Sequence, residues 1–116
     1  MFNVFDGCQT LEKLDITNFD TSQALNFNEM FKDCKSLTSI SVDKSKFDTE
    51  MVSDMGSMFT GCSSLISLDL SEFDTRKVTN MSKMFKGCTN LEKLLINNFN
   101  TRSAHNMYSI FEGCIK

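Results

Sequence analysis

Residues 65–88, from Leu65 to Cys88, read LISLDLSEFDTRKVTNMSKMFKGC, and the rest of the chain repeats this stretch with small changes. Cysteine marks the period. Cys8, Cys34, Cys62, Cys88 and Cys114 are separated by 26, 28, 26 and 26 residues. An aliphatic-Phe pair precedes each of them, at Val4-Phe5, Met30-Phe31, Met58-Phe59, Met84-Phe85 and Ile110-Phe111. Aliphatic residues follow at fixed offsets: Leu11, Leu14 and Ile16, then Leu37, Ile40 and Val42, Leu65, Leu68 and Leu70, and Leu91, Leu94 and Ile96. A Phe-Asx-Thr triplet closes each unit, beginning at Phe19, Phe47, Phe73 and Phe99. The long step comes from two extra residues within Asp43 to Lys46, between Val42 and Phe47. A fixed period near this length marks a repeat architecture, in which no unit encloses its apolar side chains until neighbours stack on it.

Within a unit, Leu65, Leu68 and Leu70 follow an L-x-x-L-x-L pattern, with Leu68 and Leu70 inward on a short strand and Ser67, Asp69 and Ser71 outward. A polar Asx/Thr turn follows. Val78, Met81, Met84, Phe85 and Cys88 then recur at steps of three and four, the spacing of a helix face, and Gly87 stands where a left-handed glycine ends a helix. The helix starts at a Thr75 cap, or only at Ser82 after a second extended piece at Val78 to Met81; β-branched Val78 and Thr79 favour the shorter helix. The expected fold is an α/β solenoid, with short parallel strands on one face and short helices on the other. One repeat domain covers residues 1–116, in units Cys8-Asp33, Cys34-Gly61, Cys62-Gly87 and Cys88-Gly113. Met1, Val4, Phe5 and Cys8 share the phases of Met107, Ile110, Phe111 and Cys114, and no distinct cap is visible. Because an open coil leaves its interior wet, a fragment or uncapped array is expected, with self-association through its ends.

Composition narrows the function classes. The 116 residues are 41% hydrophobic and 23% charged, with a net charge of −3 and no basic cluster to meet phosphates, so no nucleic-acid partner is expected. No apolar run approaches the roughly 18 residues of a membrane span, and the start of the chain carries no signal-peptide pattern.

The phrase LDLSEFDTRKVTNMSKMFKGCTNL, with its LDLS, FDT, VTNM and MFxGC pieces in order, resembles the BspA-type leucine-rich repeat family, in particular its mycoplasma lipoprotein-associated branch of unknown function. The resemblance covers essentially the whole chain. It implies a leucine-rich-repeat-like right-handed coil, a bacterial surface or extracellular location and, for some members, a role in adhesion; it implies no enzyme and no cofactor. The absence of a signal or anchor motif in this sequence leaves a cytoplasmic location open. Asn100, which replaces the Asp of the triplet, and the Asp43 to Lys46 insertion depart from the pattern.

Four sets of residues are candidates for chemistry. The five cysteines share one phase and no CxxC pair occurs, so they read as an inward column of small core residues rather than zinc ligands or disulfides. His105 reads as a solvated surface residue. The column of Asp20, Asp48, Asp74 and Asn100 either binds calcium or, the favoured reading, accepts hydrogen bonds from the amides of the following turn. The outward residues of the strands form the candidate binding face: Lys13, Asp15 and Thr17; Ser39, Ser41 and Asp43; Ser67, Asp69 and Ser71; Lys93, Leu95 and Asn97. Leu95 is its one large apolar residue and the natural anchor.

No nucleophile with its base, no paired general acid and base, and no phosphate-cradling glycine loop falls at any phase. The expectation is a non-enzymatic module that binds a protein or glycan through the concave strand face. The alternative is an intracellular repeat scaffold, which the lack of expected disulfides favours.

Overall fold

A computed structural model describes residues 2–115; Met1, placed above in the phase of Met107, and Lys116 lie outside them. Four strands of three residues each are present: β1 (Lys13–Asp15), β2 (Ser39–Ser41), β3 (Ser67–Asp69) and β4 (Lys93–Leu95). Each turns its central residue, Leu14, Ile40, Leu68 or Leu94, toward the core and its flanking residues away from it, as period-two side-chain alternation requires. β1 pairs in parallel with β2, Leu14 opposite Ile40, and β3 pairs with β4, Leu68 opposite Leu94.

The expected α/β solenoid with helices is overturned. Among the described residues there is no helix, and the strands form two separate two-stranded sheets, β1-β2 and β3-β4, rather than one continuous sheet. The backbone of the Met-Phe segments shows why. Phe27, Glu29, Phe31 and Asp33 donate their N–H groups to the carbonyls of Asp54, Gly56, Met58 and Thr60 in the next repeat. The intervening Met30, Lys32 and Cys34 donate only three residues back, to Phe27, Glu29 and Phe31. A helix needs every N–H for its own fourth-preceding carbonyl, and here half of them are committed to a neighbour. Glu29 and Asp33 also have φ of 56° and 57°, and Ser57, Lys83 and Ser109 repeat the first of these positions. Left-handed residues at such intervals are incompatible with a right-handed helix. The segment is a run of tight turns whose three- and four-residue steps return Met81, Met84, Phe85 and Cys88 to one side, mimicking helical spacing.

Gly87 does adopt the left-handed conformation, φ 74°, but it closes the turn that Cys88 N–H makes to the Phe85 carbonyl, with positive φ at the third residue as a type II turn demands. Of the two readings of Val78 to Met81, the extended one is seen: Asn80 pairs in parallel with Asp54 on one side and Asn106 on the other.

Between these backbone ladders the repeats bury like against like. Phe5, Phe31, Phe59, Phe85 and Phe111 form one stack with centroids 5.5, 5.3, 5.9 and 5.6 Å apart and planes within 14°. Each such pair adds about 0.5–1.5 kcal/mol beyond its burial. A second column runs through Phe27, Phe47 and Phe73. Met30, Met55, Met58, Met81 and Met84 are completely enclosed and fill the spaces between the columns with a flexible, polarisable side chain. The two outermost repeats are wetter, with Phe2, Val4, Phe111 and Ile115 exposed.

In the first three Phe-Asx-Thr triplets the threonine is neither a helix cap nor a surface residue. Thr21, Thr49 and Thr75 are buried, and their hydroxyls donate to the carbonyls of Asp48, Asp74 and Asn100 in the next repeat at 2.7, 3.0 and 3.0 Å. Thr49 and Thr75 also accept the backbone N–H of Asp74 and Asn100, so one hydroxyl joins two coils twice.

Candidate functional site

The strand face collects eight of the twelve sequence candidates. Lys13 lies beside Ser39 and Asp15 beside Ser41, while Ser67 lies beside Lys93 and Asp69 beside Leu95. All are exposed except Leu95, which is half-buried next to Leu68 along a shallow hollow that Ser67, Asp69 and Lys93 complete. Thr17, Asp43, Ser71 and Asn97 fall just past the strands, in the turns.

Those turns set the electrostatics of the face. Asp15 accepts the Thr17 N–H at 2.9 Å, Asp43 the Ser45 N–H and hydroxyl at 3.0 and 2.7 Å, and Asp69 the Ser71 N–H at 2.9 Å. These bonds hold the three carboxyls below the ordinary carboxylate range: Thr17 does so for Asp15, Ser45 for Asp43, and Ser71 followed by Lys44 for Asp69. Such carboxylates stay ionised and serve as turn locks, not as proton donors.

The face is interrupted in the middle. No backbone hydrogen bond joins β2 to β3 among the described residues, although their Cα atoms come within 8 Å. Beneath the interruption lies an apolar cavity of about 20 Å³, with Ile40, Val42 and Phe47 on one side and Leu68, Leu70 and Phe73 on the other. Its volume would admit a single water, and Asp69 is the one charged residue in an otherwise apolar lining. Lys44, from the inserted loop, crosses above it to Asp69 at 2.9 Å and Ser71 at 3.2 Å.

The second acidic column resolves into turn locks. Asp20, Asp48, Asp74 and Asn100 each accept the N–H two residues ahead, from Ser22, Glu50, Arg76 and Arg102, at 2.8 to 3.0 Å. Asp74 is further gripped by the Arg76 guanidinium on both oxygens. Their oxygens point into their own turns, which is the favoured sequence reading of this column; no cluster of metal-ligating side chains occurs among the described residues.

The five cysteines are free. Cys34, Cys62, Cys88 and Cys114 donate their thiols to the carbonyls of Phe5, Phe31, Phe59 and Phe85 in the preceding repeat, at 3.0 to 3.2 Å. Burial pushes the Cys34 thiol up to about 11, Cys88 to about 12 and Cys62 higher still. Thiols so strongly protonated are poor nucleophiles and poor metal ligands. His105 is exposed, with its N–H on the Thr79 carbonyl.

One column was missed in the sequence. Asn26, Asp54, Asn80 and Asn106 line up through parallel bridges, and Asp54 lies at its centre. Its Oδ1 accepts the Gly56 N–H at 2.8 Å, the Asn80 amide at 3.0 Å and the Asn28 amide at 3.1 Å. The signal was present as an Asx two positions before Asn28, Gly56 and Ser82, hidden because the segment read as helix.

Stacked coils of one short sequence unit, with an outward polar face on their strands, define a repeat protein. The chain belongs to the family described as Mycoplasma protein of unknown function, DUF285, which matches residues 1–68. No curated protein and no solved structure matches the chain. No helix among the described residues is long and apolar enough to cross a membrane.

Proposed function

We propose that the chain is a non-enzymatic interaction module that binds a protein or glycan through the strand face, as part of a bacterial surface or lipoprotein-associated protein. The observation that supports this most directly is the exposed row of Lys13, Asp15, Ser39, Ser41, Ser67, Asp69 and Lys93 around half-buried Leu95. The fold uses none of these outward side chains in its core, and a polar rim about an apolar anchor is the usual anatomy of a recognition patch. Kinship with BspA-type proteins belongs to the same proposal and rests on the LDLS, FDT, VTNM and MFxGC pieces alone, not on their fold. The locking of Asp15, Asp43 and Asp69 by turn amides favours recognition over acid-base chemistry.

A second reading, an intracellular scaffold, is favoured by five free thiols, since exported proteins generally oxidise theirs.

The test is a binding screen of the purified chain against a panel of glycans and host-surface proteins, repeated with Asp15→Asn, Asp69→Asn and Leu95→Ala combined, asparagine keeping the turn bond as Asn100 does. Loss of binding by tenfold or more, with thermal unfolding unchanged, supports the proposal. Absence of any binder, or binding that survives the triple substitution, overturns it. Protease treatment of intact source cells then separates the two locations: only a surface protein is removed while a cytosolic control persists.

A further inference from the structure

We infer that the stack carries a built-in opening between β2 and β3, created by the two-residue insertion and held shut by Lys44 acting as a strap. The inference is conformational and stands independently of the binding role proposed above.

Four observations meet at this step. The same-phase amides Ile16 and Leu70 donate to the carbonyls of Ser41 and Leu95, but Val42, which occupies their position in β2, has no such bond to β3 among the described residues. The ladders on either side are intact: Phe31 and Asp33 reach Met58 and Thr60, and Thr49 binds Asp74 through both its carbonyl and its N–H. The separation is therefore local to the strands, with bonded columns flanking it as hinges. Below it, the apolar cavity marks the space that close strand packing would have filled. Above it, the inserted loop that spreads the strands also supplies the side chain that spans them, since Lys44 bonds to Asp69 and Ser71.

The strap is weak by its setting. Lys44 and Asp69 are 42% and 45% exposed, so water and salt compete for both ends. The loop behind it is stiffer: the Asp43 carbonyl accepts the N–H of Lys46 and of Phe47, and its carboxylate holds Ser45. A short rigid loop with one loosely held lysine suits small, frequent openings that expose apolar wall without unfolding the stack.

Amide hydrogen exchange by NMR on the full chain tests this. Val42 should exchange at least about tenfold faster than Ile16 and Leu70, as an amide lacking a partner in a mobile step does. Lys44→Ala, or 1 M salt on the unaltered chain, should speed exchange at Ile40 and Val42 by about two- to fivefold and leave Phe85 unchanged, in line with an exposed ion pair. Deleting Lys44 and Ser45 restores the 26-residue step, and should slow Val42 to the level of Ile16 and Leu70. The inference is overturned if Val42 is already as protected as those two, if neither Lys44→Ala nor salt changes its rate, or if the shortened chain folds and leaves it fast. Should the shortened chain not fold, the comparison within the unaltered chain and the salt arm decide the matter alone.

Discussion

Replacing Gly56 by alanine tests the Asp54 column directly. Gly56 is buried and is not one of the left-handed glycines, so an alanine there meets no backbone strain. A Cβ at this position would lie 2.6 Å from the Asn80 amide nitrogen and 2.8 Å from that of Asn28. Both amides would have to withdraw, and both donate to the Asp54 carboxylate. A hydrogen bond to a charged group contributes about 1.5–3 kcal/mol, and the stiffer unfolded chain returns about 0.4–1 kcal/mol. Since Asp54 is only half-buried, water recovers part of the loss, and Gly56→Ala should destabilise the chain by about 2–4 kcal/mol. Urea unfolding followed by circular dichroism gives the value; with a slope of about 2 kcal/mol/M the midpoint falls by about 1–2 M. In a background of Asn28→Ala and Asn80→Ala the same substitution has nothing to displace, and should cost less than about 1 kcal/mol. A cost below about 0.5 kcal/mol in the unaltered chain, or an equal cost in both backgrounds, would refute the reasoning.

The buried thiols make stability fall in alkali. Because Cys34, Cys62 and Cys88 hold their protons more tightly when folded, their contribution is whole below the unfolded thiol value of about 8.5 and is lost as pH climbs toward the raised folded values. At pH 10 the loss is roughly 2 kcal/mol per thiol, so urea unfolding at pH 8 and pH 10 should differ strongly, and Cys88→Ala should remove one thiol's share; equal stability at the two pH values contradicts this. In the threonine ladder, Thr75→Val orphans both the carbonyl and the N–H of Asn100 and should cost about 1–3 kcal/mol, whereas Thr101→Val, at an exposed position, should be near neutral. Equal effects of the two would deny the ladder its role.

Reading the residues alone reached the unit, its phase and most of its interior. Leu68 and Leu94 do face the core from short strands, Ser67 and Asp69 do face out, the cysteines are free, and Asp20, Asp48, Asp74 and Asn100 lock their turns. The helix was a misreading because apolar residues at steps of three and four mark one face of any compact winding, and Met81, Met84, Phe85 and Cys88 wind in tight turns. The residues at its start gave no sign against it, because Asn28, Gly56 and Ser82 suit a helix N-cap as well as they suit a turn. In the candidate site, the strand row was legible, but the bridge from Lys44 to Asp69 and Ser71 was not, since it spans two repeats of unequal length.

What the sequence determines by itself is whatever depends on spacing: the period, the residues that share a column, the location of the insertion, and the inward or outward sense of each strand position. Only the tertiary structure decides where each backbone N–H finds its acceptor. Phe31 could close a helical turn or reach Met58, and it reaches Met58 because stacked copies of one short unit place a carbonyl of the next coil 2.9 Å away. That choice turns the supposed helices into turns. The same dependence splits the sheet, because two added residues at Asp43 to Lys46 keep the apolar phase intact while removing the strand alignment on which hydrogen bonds between β2 and β3 depend.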